Sequence, residues 1–152
     1  MRIISGNFKG KKILLPKDKL TRPLKDLTKE SIFNILKHSK LLNIELESAN
    51  VLDLFSGVGS FGLECLSRGA KNVTFLESYK EVLNILKKNI DNLNQQNQIK
   101  VIEKDIFSEN TLKLLNDKFD IIFMDPPYKE KKLSFLFNAI TKLELLNTDG
   151  II

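Results

Sequence analysis

Cysteine and histidine are almost missing from this chain of 152 residues, which holds one of each, Cys65 and His38. A single thiol cannot close an internal disulfide, and this suits a reducing compartment. One Cys and one His make no credible metal cluster. Neither residue has the setting of a catalyst. His38 ends a helical pattern beside Ser39 and Lys40, where a solvated side chain is expected, and Cys65 sits in an apolar helical run as a small buried residue. No segment approaches the ~20 consecutive apolar residues of a membrane span. The opening Met1-Arg2-Ile3-Ile4-Ser5 has neither the apolar stretch nor the small-residue cleavage site of a secretory signal, so a cytoplasmic location is expected. Internal repeats and low-complexity linkers are also lacking. What is present, 42% hydrophobic residues in a chain of this length, suits one domain with its own core.

The net charge of +5 is unevenly placed. Residues 1–29 hold nine Lys/Arg against two Asp, +7, while the remainder holds 15 basic and 17 acidic residues, −2. A basic segment of this kind suits a polyanion, because neutralised phosphates release condensed counterions. A solvated lysine-rich arm is the plainer alternative, since 21 of the 24 basic residues are Lys.

The pattern changes near residue 50. Before it, "RIISG" and "KKILLP" are short β-type runs with Gly6 and Gly10 as turn signals, so residues 2–15 read as a hairpin. After Arg22-Pro23, the residues Leu27, Ser31, Ile32, Ile35 and Leu36 form a helical stripe, with Thr28 as the expected N-cap and Glu30 in the first turn. From Val51 onward, the strands "NVLDLF", "NVTFLE", "IKVIEKD" and "DIIFMD" alternate with the helices "FGLECLSRG", "YKEVLNILKKNIDNL" and a short one around 108–116. Gly69 is the expected stop of the first of these helices. The rhythm predicts an α/β fold with right-handed crossovers and a doubly wound, mainly parallel sheet. Ligands of such sheets lie at the carboxyl ends of the strands, and each of the four ends carries an acid: Asp53, Glu77, Asp105 and Asp125.

The first strand is followed by Gly57-x-Gly59-x-x-Gly62, with Glu77 20 residues beyond Gly57. A dinucleotide site would place a diphosphate on this turn, but Asp53 at its mouth repels one and attracts an ammonium group. S-adenosylmethionine offers what the turn prefers: a carboxylate for the amides, an amino group for Asp53, and no phosphate. Glu77 can accept from both ribose hydroxyls. Asp105 can accept from the adenine amino group while Ile106 and Phe107 pack on its ring. Against these stand plainer roles: tight-turn and packing glycines, a solvated loop acid at Glu77, and an ordinary helix N-cap at Asp105.

After the last strand comes "DPPY", Asp125-Pro126-Pro127-Tyr128. An aromatic exocyclic amine is a poor nucleophile because its lone pair is delocalised. Acceptors on its two N–H groups favour the pyramidal form, and the Asp125 carboxylate and the Pro126 carbonyl can be those acceptors. The prolines fix φ and keep that carbonyl from a regular ladder. Tyr128 can stack on a base extruded from its helix.

Four stretches, "MRIISGNFKGKKILLP", "TRPLKDLTKESIFNIL", "VLDLFSGVGSFGLECLSRGA" and "DIIFMDPPY", together resemble the bacterial 16S ribosomal RNA guanine-N2 methyltransferases, the RsmD family. The resemblance covers essentially the whole chain. It implies a class I methyltransferase domain over 41–152, an RNA-facing basic extension over 1–40, and S-adenosyl-L-methionine as cofactor. It also implies a monomer acting on one guanine amine of 16S RNA within an assembled or partly assembled 30S subunit. By residue, it implies Asp53, Phe55, Ser56, Gly57, Gly59, Glu77, Ser78, Asp105 and Ile106 for the cofactor, Asp125, Pro126, Pro127 and Tyr128 for the target base, and Arg2, Lys9, Lys11 and Arg22 for RNA. Glu30 and Phe33 also match, Phe33 as a core residue.

Two departures accompany the resemblance. After Pro23 the chain has Leu24 and Leu27 where the family continues with Thr and a further Arg. The chain also stops at "LLNTDGII", where a fifth strand would begin, so the C-terminal strands are expected to be missing and the strand "DIIFMD" to be nearly uncovered on one side. Such an edge predicts poor stability or a sheet-edge dimer. Three other activities remain at this point: N6-adenine methylation of DNA or RNA, a catalytically silent RNA-binding or assembly role, and a nicotinamide oxidoreductase, which the position of Asp53 disfavours.

Overall fold

The computed structural model describes residues 1–17, 24–108 and 110–152. Five strands form one parallel sheet: β1 (Asn50–Asp53), β2 (Asn72–Leu76), β3 (Ile99–Ile102), β4 (Phe119–Phe123) and β5 (Leu146–Ile151), in the order β3-β2-β1-β4-β5. Four helices accompany them: α1 (Asp26–His38), α2 (Ser60–Ser67), α3 (Lys80–Asp91) and α4 (Leu133–Lys142). The order reverses between β1 and β4, where the chain crosses from one half of the sheet to the other and open α/β sheets place their ligands. The apolar runs that read as strands are buried on both faces, with Val51, Leu52, Val73, Phe75 and Ile122 at 1% exposure or less.

Two clusters fill the core. One, on the α2/α3 side, joins Val51, Leu63, Val73, Phe75, Leu86 and Ile90 to Ile3, Ile13, Phe33 and Leu36. The other gathers Leu52, Leu76, Ile106, Ile122, Leu136 and Ile140. Phe61 stacks on Phe123 at 3.9 Å between centroids and on Phe33 at 5.3 Å, so a column of rings ties α1 through α2 to the end of β4. Among the described residues no helix is long and apolar enough to cross a membrane.

The expected hairpin over 2–15 forms around one antiparallel bridge, Arg2 with Lys12, with Ile3 N–H donating to Lys11 C=O, Gly10 N–H to Ile3 C=O and Ile13 N–H to Met1 C=O. The segment is also hydrogen-bonded to α2: Ile4 and Ser5 N–H donate to the Glu64 carboxylate, Phe8 N–H to Ser67 Oγ and Asn7 N–H to Ser67 C=O. Elsewhere several expectations are corrected. Helix α1 starts two residues before Thr28, and its N-cap is Lys25, without a side-chain cap. Its buried face is Lys29, Phe33 and Leu36, whereas Leu27 and Ile35 of the expected stripe are 79% and 61% exposed. On that face Lys29 is fully buried, its ammonium donating to Arg2 C=O at 2.8 Å and lying 3.4 Å from Glu64. A lysine satisfied in this way faces inward where periodicity alone would place an apolar residue.

The helix around 108–116 is a single 3-10 turn, Leu112–Leu114. Conversely, α4 forms where the sequence reading places no helix, although Leu133, Leu136, Phe137 and Ile140 carry its i, i+3, i+4, i+7 signature. The fifth strand forms fully and covers β4, pairing Phe119 with Leu146 and Ile121 with Ile151 across a register shift. Asp120 fastens it, accepting from Asn147 Nδ2 at 2.6 Å while its other oxygen accepts from Asn50 N–H of β1. The open edge therefore passes from β4 to β5.

Candidate active site

Above the carboxyl ends of β1, β2, β3 and β4 lies a cleft of about 1100 Å³, lined by Phe55, Gly57, Glu77, Ser78, Asp105, Ile106, Phe107 and the whole of Asp125 to Tyr128. A recess of about 70 Å³ adjoins it, lined by Asp53, Phe55, Ser56, Gly57 and Asp125. Two openings thus gather the expected cofactor and base residues, apart from Gly59, which lies beneath the turn.

The turn after β1 is built for close approach. Gly57 and Gly59 have φ of +54° and +84°, conformations that glycine adopts without strain. Gly62 instead serves packing: a Cβ there would lie 2.3 Å from Phe75 Cε1 of β2. Its N–H donates to Asp53 Oδ2 at 3.1 Å. Ser56 turns its hydroxyl inward, its one proton shared between the Leu76 and Asp53 carbonyls, so it joins the ends of β1 and β2.

Asp53 is 2% exposed. Burial, with smaller repulsion from Glu77 and Asp125, raises its pKa to about 7 against the pull of the Gly62 amide. Partial burial also raises the pKa of Asp125 at the rim. Glu77 is fixed by three amides: Gly57 N–H on Oε2, and Ser78 and Tyr79 N–H on Oε1. About three of its roughly four acceptor positions are therefore taken, and gripping two hydroxyls requires one amide to let go. Asp105 opens a turn, accepting Phe107 N–H at 2.9 Å on its side chain and the Thr111 hydroxyl on its carbonyl.

In the Asp125–Tyr128 segment the Pro127 carbonyl accepts Glu130 N–H, while no described donor reaches the Pro126 carbonyl. Tyr128 projects almost wholly into solvent, at 97% exposure. The cleft wall also includes Leu24, Lys25, Thr28, Tyr79, Lys104 and Glu130, which sequence reasoning did not select. Leu24, Lys25 and Thr28 arrive because α1 folds over the cleft, and no local pattern signals that.

The basic residues are not all brought here. Asn7 and Phe8 dock on Ser67, the last residue of α2, so the turn carrying Lys9 stands at the amino end of the sheet, opposite the cleft. Lys11 is already engaged, donating to Asn92 C=O at 2.8 Å and lying over the Phe8 ring. Arg2 is exposed, and Arg22 lies outside the described residues.

The sheet order, the glycine turn after β1 and an acid at or just beyond the ends of β1 to β4 define a class I, Rossmann-like methyltransferase fold. The family model described as "Conserved hypothetical protein 95" matches residues 1–152, and the chain belongs to that family, the RsmD-type methyltransferases. It is 35% identical to "Putative rRNA methyltransferase YlbH" of Bacillus subtilis over 100% of this chain and 80% of that one. It is 36% identical to "Ribosomal RNA small subunit methyltransferase D" of Haemophilus influenzae over 84% of this chain and 64% of that protein. The solved structure "Putative methyltransferase yhhF from Escherichia coli" matches 100% of this chain and 74% of its own, with a TM-score of 0.72 and 27% identity.

Proposed function

We propose that this protein methylates the exocyclic N2 amine of a guanine in small-subunit ribosomal RNA, with S-adenosyl-L-methionine as donor, in the cytoplasm. The observation that carries the reading is the gathering of Asp53, Glu77 and Asp125 around two adjoining openings at the strand ends, where burial, and to a smaller extent repulsion from Glu77 and Asp125, raises the Asp53 pKa. A cationic ligand relieves that repulsion and a diphosphate worsens it. The names of the relatives support ribosomal RNA as the substrate class.

The residues present fit the donor. Asp53 would hold its amino group, the glycine turn its carboxylate, Glu77 its ribose, and Asp105 with Ile106 its adenine. Bound, it supplies a methyl group on a cationic sulfur. The chain's own contribution is to the amine. Asp125 and the Pro126 carbonyl accept its two N–H groups, which frees the nitrogen lone pair, and they strengthen as positive charge develops there. Asp125 then takes the proton that the nitrogen must lose, directly or through water, and its raised pKa suits that task. Tyr128 closes over the base, and holding both partners in line lowers the remaining barrier. Lys9, Lys11 and Arg2 would meet RNA well away from the target base, near the far end of the sheet.

The test is incubation with tritiated S-adenosylmethionine and unmodified 30S particles, naked 16S RNA or DNA. Label is expected on the guanine amine of ribosomal RNA and is expected to fall at least ~100-fold in Asp125→Ala. Equal labelling by both proteins sinks the mechanism, and labelling of DNA alone sinks the substrate.

A further inference from the structure

Asn89 is a polar residue on the apolar face of α3, 2% exposed among Val82, Leu83, Leu86 and Ile90. Burying an amide there is costly unless every polar atom is partnered. Its partners lie in two distant segments. Toward the N-terminal arm, Oδ1 accepts Leu14 N–H at 2.8 Å and Nδ2 donates to Leu14 C=O at 3.2 Å, a two-point clasp of the kind a neighbouring strand would make. Toward the glycine turn, Nδ2 donates to Val58 C=O at 3.0 Å. Val58 stands between Gly57, whose N–H holds Glu77, and Gly59, whose N–H donates to Ser56 C=O. One side chain therefore touches both the basic arm and the turn at the mouth of the cleft.

We infer that Asn89 is a positioning residue that joins the arm to the glycine turn, so that a ligand settling on the turn steadies the arm and a partner on the arm steadies the turn. The inference rests on the reading of this turn as a S-adenosylmethionine site. Displacing Val58 draws Asn89 Nδ2, and with it Leu14, because the Asn89 amide, 2% exposed, cannot abandon either partner without leaving its own polar atoms buried and unpaired. Such linkage is reciprocal by thermodynamic necessity.

Hydrogen exchange of the full chain, with and without S-adenosylhomocysteine, tests this. The reporters are the arm amides of Ile3, Gly10 and Ile13, which donate to Lys11, Ile3 and Met1 carbonyls and not to Asn89. In the wild type the ligand is expected to slow their exchange about fivefold or more. In Asn89→Leu that response is expected to vanish while calorimetry still detects the ligand. Should Asn89→Leu not fold, Asn89→Asp keeps the acceptor for Leu14 N–H and loses both donated bonds, with the same expected loss of response. Ser67→Ala serves as the comparison: it loosens the arm on α2, far from the turn, so its arm amides exchange faster yet still respond to ligand. Arm exchange indifferent to bound ligand in the wild type overturns the inference, as does a response that survives in both Asn89 variants. Absence of ligand binding by calorimetry removes the cofactor reading itself, and the inference falls with it.

Discussion

Asp53 carries the sharpest single-residue consequence. Its folded-state pKa of about 7 lies above its ordinary 3.8, so between those values the folded protein binds more protons than the unfolded chain. By linkage this group makes the ligand-free protein lose stability as pH rises through that window, with no further loss above about 7. Asp53→Asn is expected to be the more stable protein at pH 8 and to lack this slope, measured by urea denaturation from pH 5 to 8. A cation bound beside Asp53 favours its charged form, so affinity for S-adenosylhomocysteine should rise from pH 5.5 to 8 in the wild type and stay flat in Asp53→Asn, as read by calorimetry. The acids at and just beyond the ends of β1 to β4 could be named from the sequence because a short apolar run sets where each strand stops. Lys25 and Thr28 could not, because they reach the cleft only through the packing of a helix from another part of the chain.

Among the elements, α2 does the most, since it carries the turn at one end and the arm at the other. Its close seat on β2 depends on Gly62, and Gly62→Ala drives a methyl into Phe75. A cost of about 1–3 kcal/mol is expected from urea unfolding, together with weaker S-adenosylhomocysteine binding because the Gly62 amide also holds Asp53. Unchanged stability would mean that the Phe75 ring yields freely. The strands β1 to β4 and the helices α2 and α3 were legible because period and glycine punctuation agreed. The face of α1 was legible only in part, because the buried Lys29 shares it with Phe33 and Leu36, and β5 was underestimated because its pairing with β4 is secured by Asp120 and Asn147, distant in sequence.

Across the whole molecule, the arm and α1 are sewn to α2 by a buried network. Glu64, fully buried, accepts from Ile4 and Ser5 N–H and from Arg68 Nε, with Lys29 at 3.4 Å, and the Arg68 guanidinium lies 4.2 Å from the Phe33 ring centre. Glu64→Leu strands several buried donors at once and should cost about 3–5 kcal/mol. Lys29→Met leaves Glu64 with Arg68 and two amides and should cost less. The reverse order in denaturant titrations would place the keystone at Lys29. The sequence by itself determined the parallel sheet, the glycine turn, the row of acids and the Asp125–Tyr128 segment, because each depends on residues near one another in the chain. Only the tertiary structure decided that Asp53 is driven toward neutrality, that the tip of the arm docks opposite the cleft, that α1 helps wall the cleft and that Asn89 joins arm to turn. Those outcomes arise from burial and from hydrogen bonding between segments 31 to 75 residues apart, for which no local periodicity exists.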